Sequence, residues 1–162
     1  MIPLMKEGAL CYVVEDDRVL LIEKRRGLGA GLYNGPGGKL EAEETPCEAA
    51  IRETREEVGI TVHNPEKVGE LTFVHDGERA MFVHVFCAER YDGAPRPSPE
   101  ARPEWFDRSE LPYDQMWEDD HLWLPLALDG DPFVGRFEFE GGDRLDEGRF
   151  VDHELHRVQS FE

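Results

Sequence analysis

Residues 45–59 narrow what this chain can become more than any other stretch, because both ends of a helix are written into them. Thr45 stands at the N-cap, and Pro46 follows at the first helical position, where a missing N–H costs nothing. Glu48, three residues after the cap, completes a capping box, and Gly59 supplies the stop. Within that helix Glu53, Glu56 and Glu57 fall at i, i+3 and i+4 and share one face, whereas Cys47, Ala50, Ile51, Thr54 and Val58 cluster on another. The second face is built to pack. The first stacks three like charges, which oppose one another by about 0.2–0.5 kcal/mol per pair on an exposed helix. Upstream, a glycine-rich run extends over residues 27–38. Its end, Gly35-Pro36-Gly37-Gly38, lets backbone approach a ligand where a Cβ would block it.

The rest of the chain predicts an α/β sandwich with a mixed sheet. Residues 10–14 and 19–23 flank a polar turn as a strand pair, and residues 71–74, 81–87, 104–106 and 133–139 predict further strands. A second helix is expected over 117–128, and 91–103, with four prolines, as one loop. The 162 residues are expected to form a single domain, 1–162, with the last twenty or so, 141–162, given no role. No apolar stretch approaches the roughly 20 residues of a membrane span, and residues 1–10 lack the basic start and apolar run of a leader. A cytoplasmic protein without membrane partners is expected. Cys11, Cys47 and Cys87 form no CxxC pair, so reduced thiols are expected rather than a zinc or redox site.

Charge excludes a further class. Thirty-six acidic against 18 basic residues give a formal net charge of −18, which argues against a nucleic-acid-binding surface. The same charge repels any phosphorylated ligand unless divalent cations and a local basic patch offset it. Three Trp, nine Phe and four Tyr argue for a packed core over disorder. Lysine is confined to Lys6, Lys24, Lys39 and Lys67, and a carboxylate-rich, lysine-poor surface resembles the proteins of salt-loving (halophilic) microbes.

Stacked carboxylates are relieved by hard divalent cations: Mg²⁺ is bound through a few carboxylates, with waters and substrate phosphates completing its shell. A glutamate run alone is an ordinary solvated face; the glycine segment beside it supplies the reason to look for a ligand. From Gly38 the chain runs five residues to Glu44, then seven to Arg52-Glu53-Thr54-Arg55-Glu56-Glu57-Val58-Gly59-Ile60. This spacing resembles the signature of the Nudix hydrolases, with Thr54 where that family usually has an aliphatic residue. The resemblance implies an α/β/α sandwich with a catalytic loop-helix-loop over about 37–60. It also implies that Glu53, Glu56 and Glu57 bind Mg²⁺ (or Mn²⁺) with the Gly37 carbonyl, that Arg52 orients them and that Glu44 fixes the loop to the helix. Glu100 aligns with an additional metal ligand or base.

The similarity extends beyond the signature. Residues 27–35, 83–87, 102–106 and 116–120 are similar to the branch that hydrolyses oxidised purine nucleoside triphosphates such as 8-oxo-dGTP to the monophosphate and pyrophosphate. In that branch an Asn and paired Asp residues hydrogen-bond the purine and a Trp stacks on it; the matching positions are Asn34, Asp119, Asp120 and Trp117. Lys24, Phe73 and Met81 also match pocket positions. Ala9, Leu28 and Ala101 stand where the animal enzymes carry Thr, Phe and Met, which implies a roomier pocket. A nucleoside triphosphate substrate and a monomer are the partners expected. His121 is expected to pack or face solvent rather than flank the purine. Lys24-Arg25-Arg26 divides evenly between a phosphate contact and a solvated strand end. His153 and His156 would pair on a helix, but nothing nearby adds ligands. The rivals are a Nudix enzyme for ADP-ribose or ordinary nucleotides and a catalytically silent nucleotide sensor, the latter disfavoured because every signature glutamate is present.

Overall fold

The computed structural model describes residues 6–161, so the leader reading of residues 1–10 and the ends of the 1–162 span lie partly outside it. In chain order the elements are β1 (Lys6–Glu15), β2 (Arg18–Lys24), β3 (Tyr33–Asn34), β4 (Gly37–Lys39), α1 (Pro46–Val58), β5 (Thr61–His63) and β6 (Glu66–His75). There follow β7 (Glu78–Ala88), β8 (Arg90–Asp92), β9 (Ala101–Asp107), α2 (Asp120–Asp129), β10 (Phe133–Glu140) and β11 (Arg149–Arg157). Among the described residues, nine strands form one sheet with the path β11-β10-β6-β7-β1-β2-β3, with β4 also on β1 and β9 also on β2. The β1–β7 and β10–β6 pairs are parallel and the other pairs antiparallel, so the sheet is mixed.

Period-two alternation sends successive side chains to opposite faces and makes two cores. Ala9, Cys11 and Val13 of β1 and Leu20 and Ile22 of β2 pack with Ala49, Ala50 and Val58 of α1. Tyr12, Val19 and Leu21 point the other way, toward Trp123, Leu124 and Ala127 of α2. Helices on both faces of the sheet give the expected α/β/α sandwich. Thr54 is fully buried within α1, and its Oγ1 donates to the Ala50 carbonyl at 2.7 Å, so a hydroxyl is accommodated where an aliphatic side chain was the expectation.

Three local readings change. The proline-rich segment is a shorter loop, because residues 90–92 pair with β5 and β9 begins at Ala101. Pro103 is tolerated in β9 because that strand pairs only with β2, leaving an open edge. The second helix begins three residues late: residues 117–119 form a turn closed by Asp120 N–H donating to the Trp117 carbonyl at 3.1 Å. His153 and His156 lie on a strand, where a spacing of three sends them to opposite faces, and His153 stacks on Phe137 instead. The tail is structured, turning back through Gly141 and Gly142, both at positive φ, so that β11 pairs antiparallel with β10. Neither helix is long and apolar enough to cross a membrane, among the described residues.

Candidate active site

The caps of α1 form as its residues dictate: Thr45 Oγ1 accepts from Glu48 N–H, Glu48 accepts from Thr45 N–H, and Gly59 closes the helix at φ 77°. This helix meets the glycine segment at one point. Gly37 N–H donates to Glu57 Oε1 at 2.7 Å, and Gly37 pairs with Leu10 across β1. A Cβ on Gly37 would lie 2.1 Å from the Ala9 carbonyl oxygen, and one on Gly38 would lie 2.6 Å from the Glu53 carboxyl carbon. Only glycine lets strand and carboxylates come this close.

Arg52 organises the acidic face. Its Nε and one terminal nitrogen bind Glu44 in a two-pronged pair at 2.6 and 2.9 Å, and that nitrogen also donates to the Lys39 carbonyl at 3.0 Å. Its other terminal nitrogen donates to Glu53 at 2.8 Å and Glu56 at 3.2 Å. The Arg52 hydrogen bonds hold the Glu44 carboxyl down to about 2, whereas burial pushes Glu53 up against the opposing pull of Arg52. Glu57 is 3% exposed. Burial pushes it up to about 8, with Glu53 and Glu100 adding to the rise and Gly37 N–H and Lys24 opposing it. Glu56 is exposed, and Glu100 is exposed and paired with Arg26 at 3.3 Å.

Among the described residues no three His, Cys, Asp or Glu side chains are grouped so as to hold a metal ion by themselves. The all-oxygen set on this open rim nevertheless fits a hard cation that keeps waters and takes phosphate oxygens as its other ligands.

Beside the rim opens a cavity of 640 Å³. Three of the four lysines in the chain, Lys6, Lys24 and Lys39, line it, in a protein of net charge −18. Lys6 and Lys39 arrive together because β4 pairs with β1 next to both. Gly37 and Gly38 form the wall toward α1, while Asn34, Phe73, Met81, Trp117 and Asp120 line the rest, with Ala9 and Leu28 contributing aliphatic side chains. Ala101 does not reach the cavity; it is buried in the α1-side core. His121 is exposed and meets Tyr113 edge-on rather than the cavity.

Tyr12 was invisible as a site residue in the sequence, where it reads as one of the buried positions of β1. Its hydroxyl donates to Asn34 Oδ1 at 3.0 Å, and Gly35 N–H donates to the same oxygen at 2.8 Å. With its carbonyl engaged twice, Asn34 has its amide N–H groups left for a ligand.

The two aspartates part company. Asp120 lines the cavity, whereas Asp119, fully buried, accepts from the Trp123 indole N–H at 2.7 Å and is not among the cavity-lining residues. Asp119 Oδ1 and Asp120 Oδ2 are both buried without a hydrogen-bond partner. Burial raises Asp119 to about 6, the Trp123 bond opposing, and raises Asp120 well above the usual carboxylate range, with the Asp119 charge adding to it. A carboxyl raised in this way favours its protonated form, in which Asp120 can both donate and accept.

A glycine strand locked to a capped helix, with an arginine gathering the helix carboxylates beside a lysine-lined cavity, is the arrangement of a Nudix-type site. The NUDIX domain pattern matches residues 5–127, and the chain belongs to the Nudix family. It is 46% identical over 151 residues to an oxidized purine nucleoside triphosphate hydrolase of Danio rerio, covering 93% of this chain and 94% of that protein. To the protein of the same description from Mus musculus it is 40% identical, covering 94% and 95%. The solved structure of a mutator MutT protein from Bacillus halodurans superposes with a TM-score of 0.77 at 29% identity, over 93% of this chain and 97% of that one.

Proposed function

We propose that this Nudix protein is a Mg²⁺-dependent pyrophosphohydrolase that converts oxidised purine (deoxy)nucleoside triphosphates, such as 8-oxo-dGTP, to the monophosphate and pyrophosphate. The observation that carries the reading is the polarity of one cavity. Lys6, Lys24 and Lys39 serve an anionic group, and Asn34, Asp120 and the half-buried Trp117 offer donors, an acceptor and an aromatic face. The activity of the two vertebrate relatives, as their names describe it, supports the same substrate class.

Glu53, Glu56 and Glu57, with the Gly37 carbonyl and Glu100, are the residues that would hold Mg²⁺ or Mn²⁺, which when bound neutralises phosphate charge and supplies an activated water. Arg52 keeps Glu53 and Glu56 in register, and Glu44 fixes Arg52. The lysines orient the polyphosphate, Asn34 donates from its amide to the base edge, and Asp120 presents a carboxyl that burial beside Asp119 keeps protonated. Trp117 and Phe73, 6.1 Å apart between ring centres, form the apolar wall for a planar base.

The enzyme acts as a cytoplasmic monomer without nucleic-acid or membrane partners, in a salt-adapted cell whose ionic strength suits its acidic surface. A hydrolysis panel of 8-oxo-dGTP, 2-hydroxy-dATP, dGTP, dATP and ADP-ribose, with and without Mg²⁺, tests the reading. Preference for an oxidised purine triphosphate supports it; equal rates on dGTP and dATP, or turnover of ADP-ribose alone, would replace the substrate class.

A further inference from the structure

The tail beyond β10 reaches the cavity. After Gly141 and Gly142 the chain makes a short 3-10 turn, Leu145–Glu147, and Asp143, Arg144 and Leu145 line the cavity from this side. Leu145 is buried in the α2-side core, with Leu28 and Trp117 packed against the same cluster. Asp146 stands 10% exposed beside it. Its Oδ2 accepts from Gly29 N–H at 2.9 Å, a bond between residues 117 apart in sequence, and Arg144 Nε lies 3.2 Å from its Oδ1.

Gly29 is the middle of three glycines, Gly27, Gly29 and Gly31, that all take positive φ. Such a segment has many conformations open to it, so one anchor decides much of its order. The loop's own bonds tie Gly31 N–H to the Lys24 carbonyl, Ala30 N–H to that of Gly27 and Leu32 N–H to that of Gly29. Gly29 N–H is satisfied from outside, by Asp146. Gly29 in turn lies against Trp117: a Cβ there would fall 2.9 Å from the indole nitrogen and 3.3 Å from the ring. The contacts therefore run from tail to glycine loop to indole.

We propose that Asp146 is a positioning residue for the apolar end of the cavity, holding the 27–31 loop against Trp117 so that the indole has one orientation when the substrate arrives. Resting on the substrate reading above, this makes the tail part of base recognition. The phosphate end, which Asp146 does not touch, is left alone, so its loss weakens binding and spares turnover. Arg144, drawn to Asp146, remains 62% exposed at the cavity edge.

The test has a readout that needs no substrate. In a Trp105→Phe background, with Trp123 fully buried, acrylamide quenching reports on Trp117. Asp146→Ala is expected to raise the quenching constant roughly twofold and to raise KM for 8-oxo-dGTP roughly tenfold with kcat little changed. Asp146→Asn keeps an amide oxygen that accepts from Gly29 N–H and is expected to restore both. Should Asp146→Ala fail to fold, amide hydrogen exchange on the unmutated protein replaces it: Gly29 is expected to be protected, and exchange at the free-peptide rate overturns the proposal. Unchanged quenching in Asp146→Ala overturns it, as does an Asn variant as impaired as the Ala variant, or raised quenching with KM unaltered. A wild-type protein inactive on oxidised purines defeats the substrate reading instead, while the quenching result still decides what Asp146 does to Trp117.

Discussion

Gly37 N–H donates to the buried carboxylate of Glu57 at 2.7 Å, joining the last turn of α1 to the strand that walls the cavity. One oxygen of Glu57 is thereby committed to the fold, and under the proposed function its other oxygen and the exposed carboxylate of Glu56 would be the ones to meet a cation.

That division gives the first prediction. Glu57→Gln retains a carbonyl oxygen to accept from Gly37, and Glu56→Gln changes an exposed side chain, so both variants are expected to fold. Each is expected to lose on the order of a hundredfold or more in kcat, because a neutral amide is a poor ligand for a hard cation. Circular dichroism with steady-state kinetics over a Mg²⁺ titration checks this, and near-full turnover at saturating Mg²⁺ would remove these glutamates from the metal site.

Gly38 offers a subtler intervention on the same rim. In Gly38→Ala the new Cβ meets the Glu53 carboxylate at 2.6–2.8 Å, the tip of a flexible side chain rather than backbone. The carboxylate can move aside, so stability is expected to change by less than about 1 kcal/mol while kcat falls by about tenfold or more through a displaced Glu53. Thermal melts paired with kinetics separate the two; a variant with unaltered kcat would show that Glu53 need not hold its position.

Local features of this protein were legible in sequence and distant ones were not. The α1 helix could be drawn to its caps because Thr45, Glu48 and Gly59 act on backbone groups within a turn of themselves. The grouping of Glu44, Arg52 and the glutamates followed from their spacing through the family resemblance. Tyr12 sits in a strand where burial explains it fully, and no local signal says that its hydroxyl meets Asn34. That Lys6 and Lys39 line one cavity depends on β4 lying on β1, and the Asp146–Gly29 bond on the tail returning across 117 residues. Adjacent aspartates looked equivalent, but at the start of α2 one residue means about 100° of rotation, which sends Asp120 to the cavity and Asp119 to Trp123.

The acidic surface leads to a prediction about salt. At a net charge of −18 self-repulsion opposes compaction, and at molar salt the Debye length of about 3 Å screens most of it. The melting temperature is expected to rise substantially from dilute buffer to about 1 M KCl. A flat profile would reduce the acidity to a matter of solubility.

Stability should also depend on pH through the aspartate pair. Both folded-state values are raised above the usual 3.8, Asp119 to about 6 and Asp120 likewise upward by burial, so the folded protein holds protons that the unfolded chain releases. Their contribution is fully present below 3.8 and is lost as pH rises through 6 and beyond, by about 1.4 kcal/mol for each pH unit over which one extra proton is held. Asp119→Asn combined with Asp120→Asn is expected to flatten that part of the profile. Denaturant melts between pH 4 and 8 on both proteins check it, and parallel profiles would mean that the pair is ionised throughout (the pH range being roughly that over which such groups titrate).

The last prediction separates the two aspartates by what each touches. Asp120 lines the cavity with one oxygen unpartnered, so a purine edge is the group that would satisfy it, whereas Asp119 is committed to the Trp123 indole behind. Replacement by Asn keeps the shape and removes the exchangeable proton, and a site built to hydrogen-bond its substrate loses most when a buried partner is left unmatched. Asp120→Asn is expected to lower kcat/KM for oxidised purine triphosphates by about tenfold or more, roughly 1.4 kcal/mol, mainly through KM because the base is remote from the chemistry. Asp119→Asn is also expected to lower kcat/KM by about tenfold, since the Asp119 charge helps keep the Asp120 carboxyl protonated, but with an added fall in melting temperature from the weakened Trp123 bond. The rim variants should show the opposite pattern, losing kcat. If both Asn variants keep wild-type kcat/KM on 8-oxo-dGTP and 2-hydroxy-dATP, the pair is structural and the base is read by Asn34 and Trp117 alone.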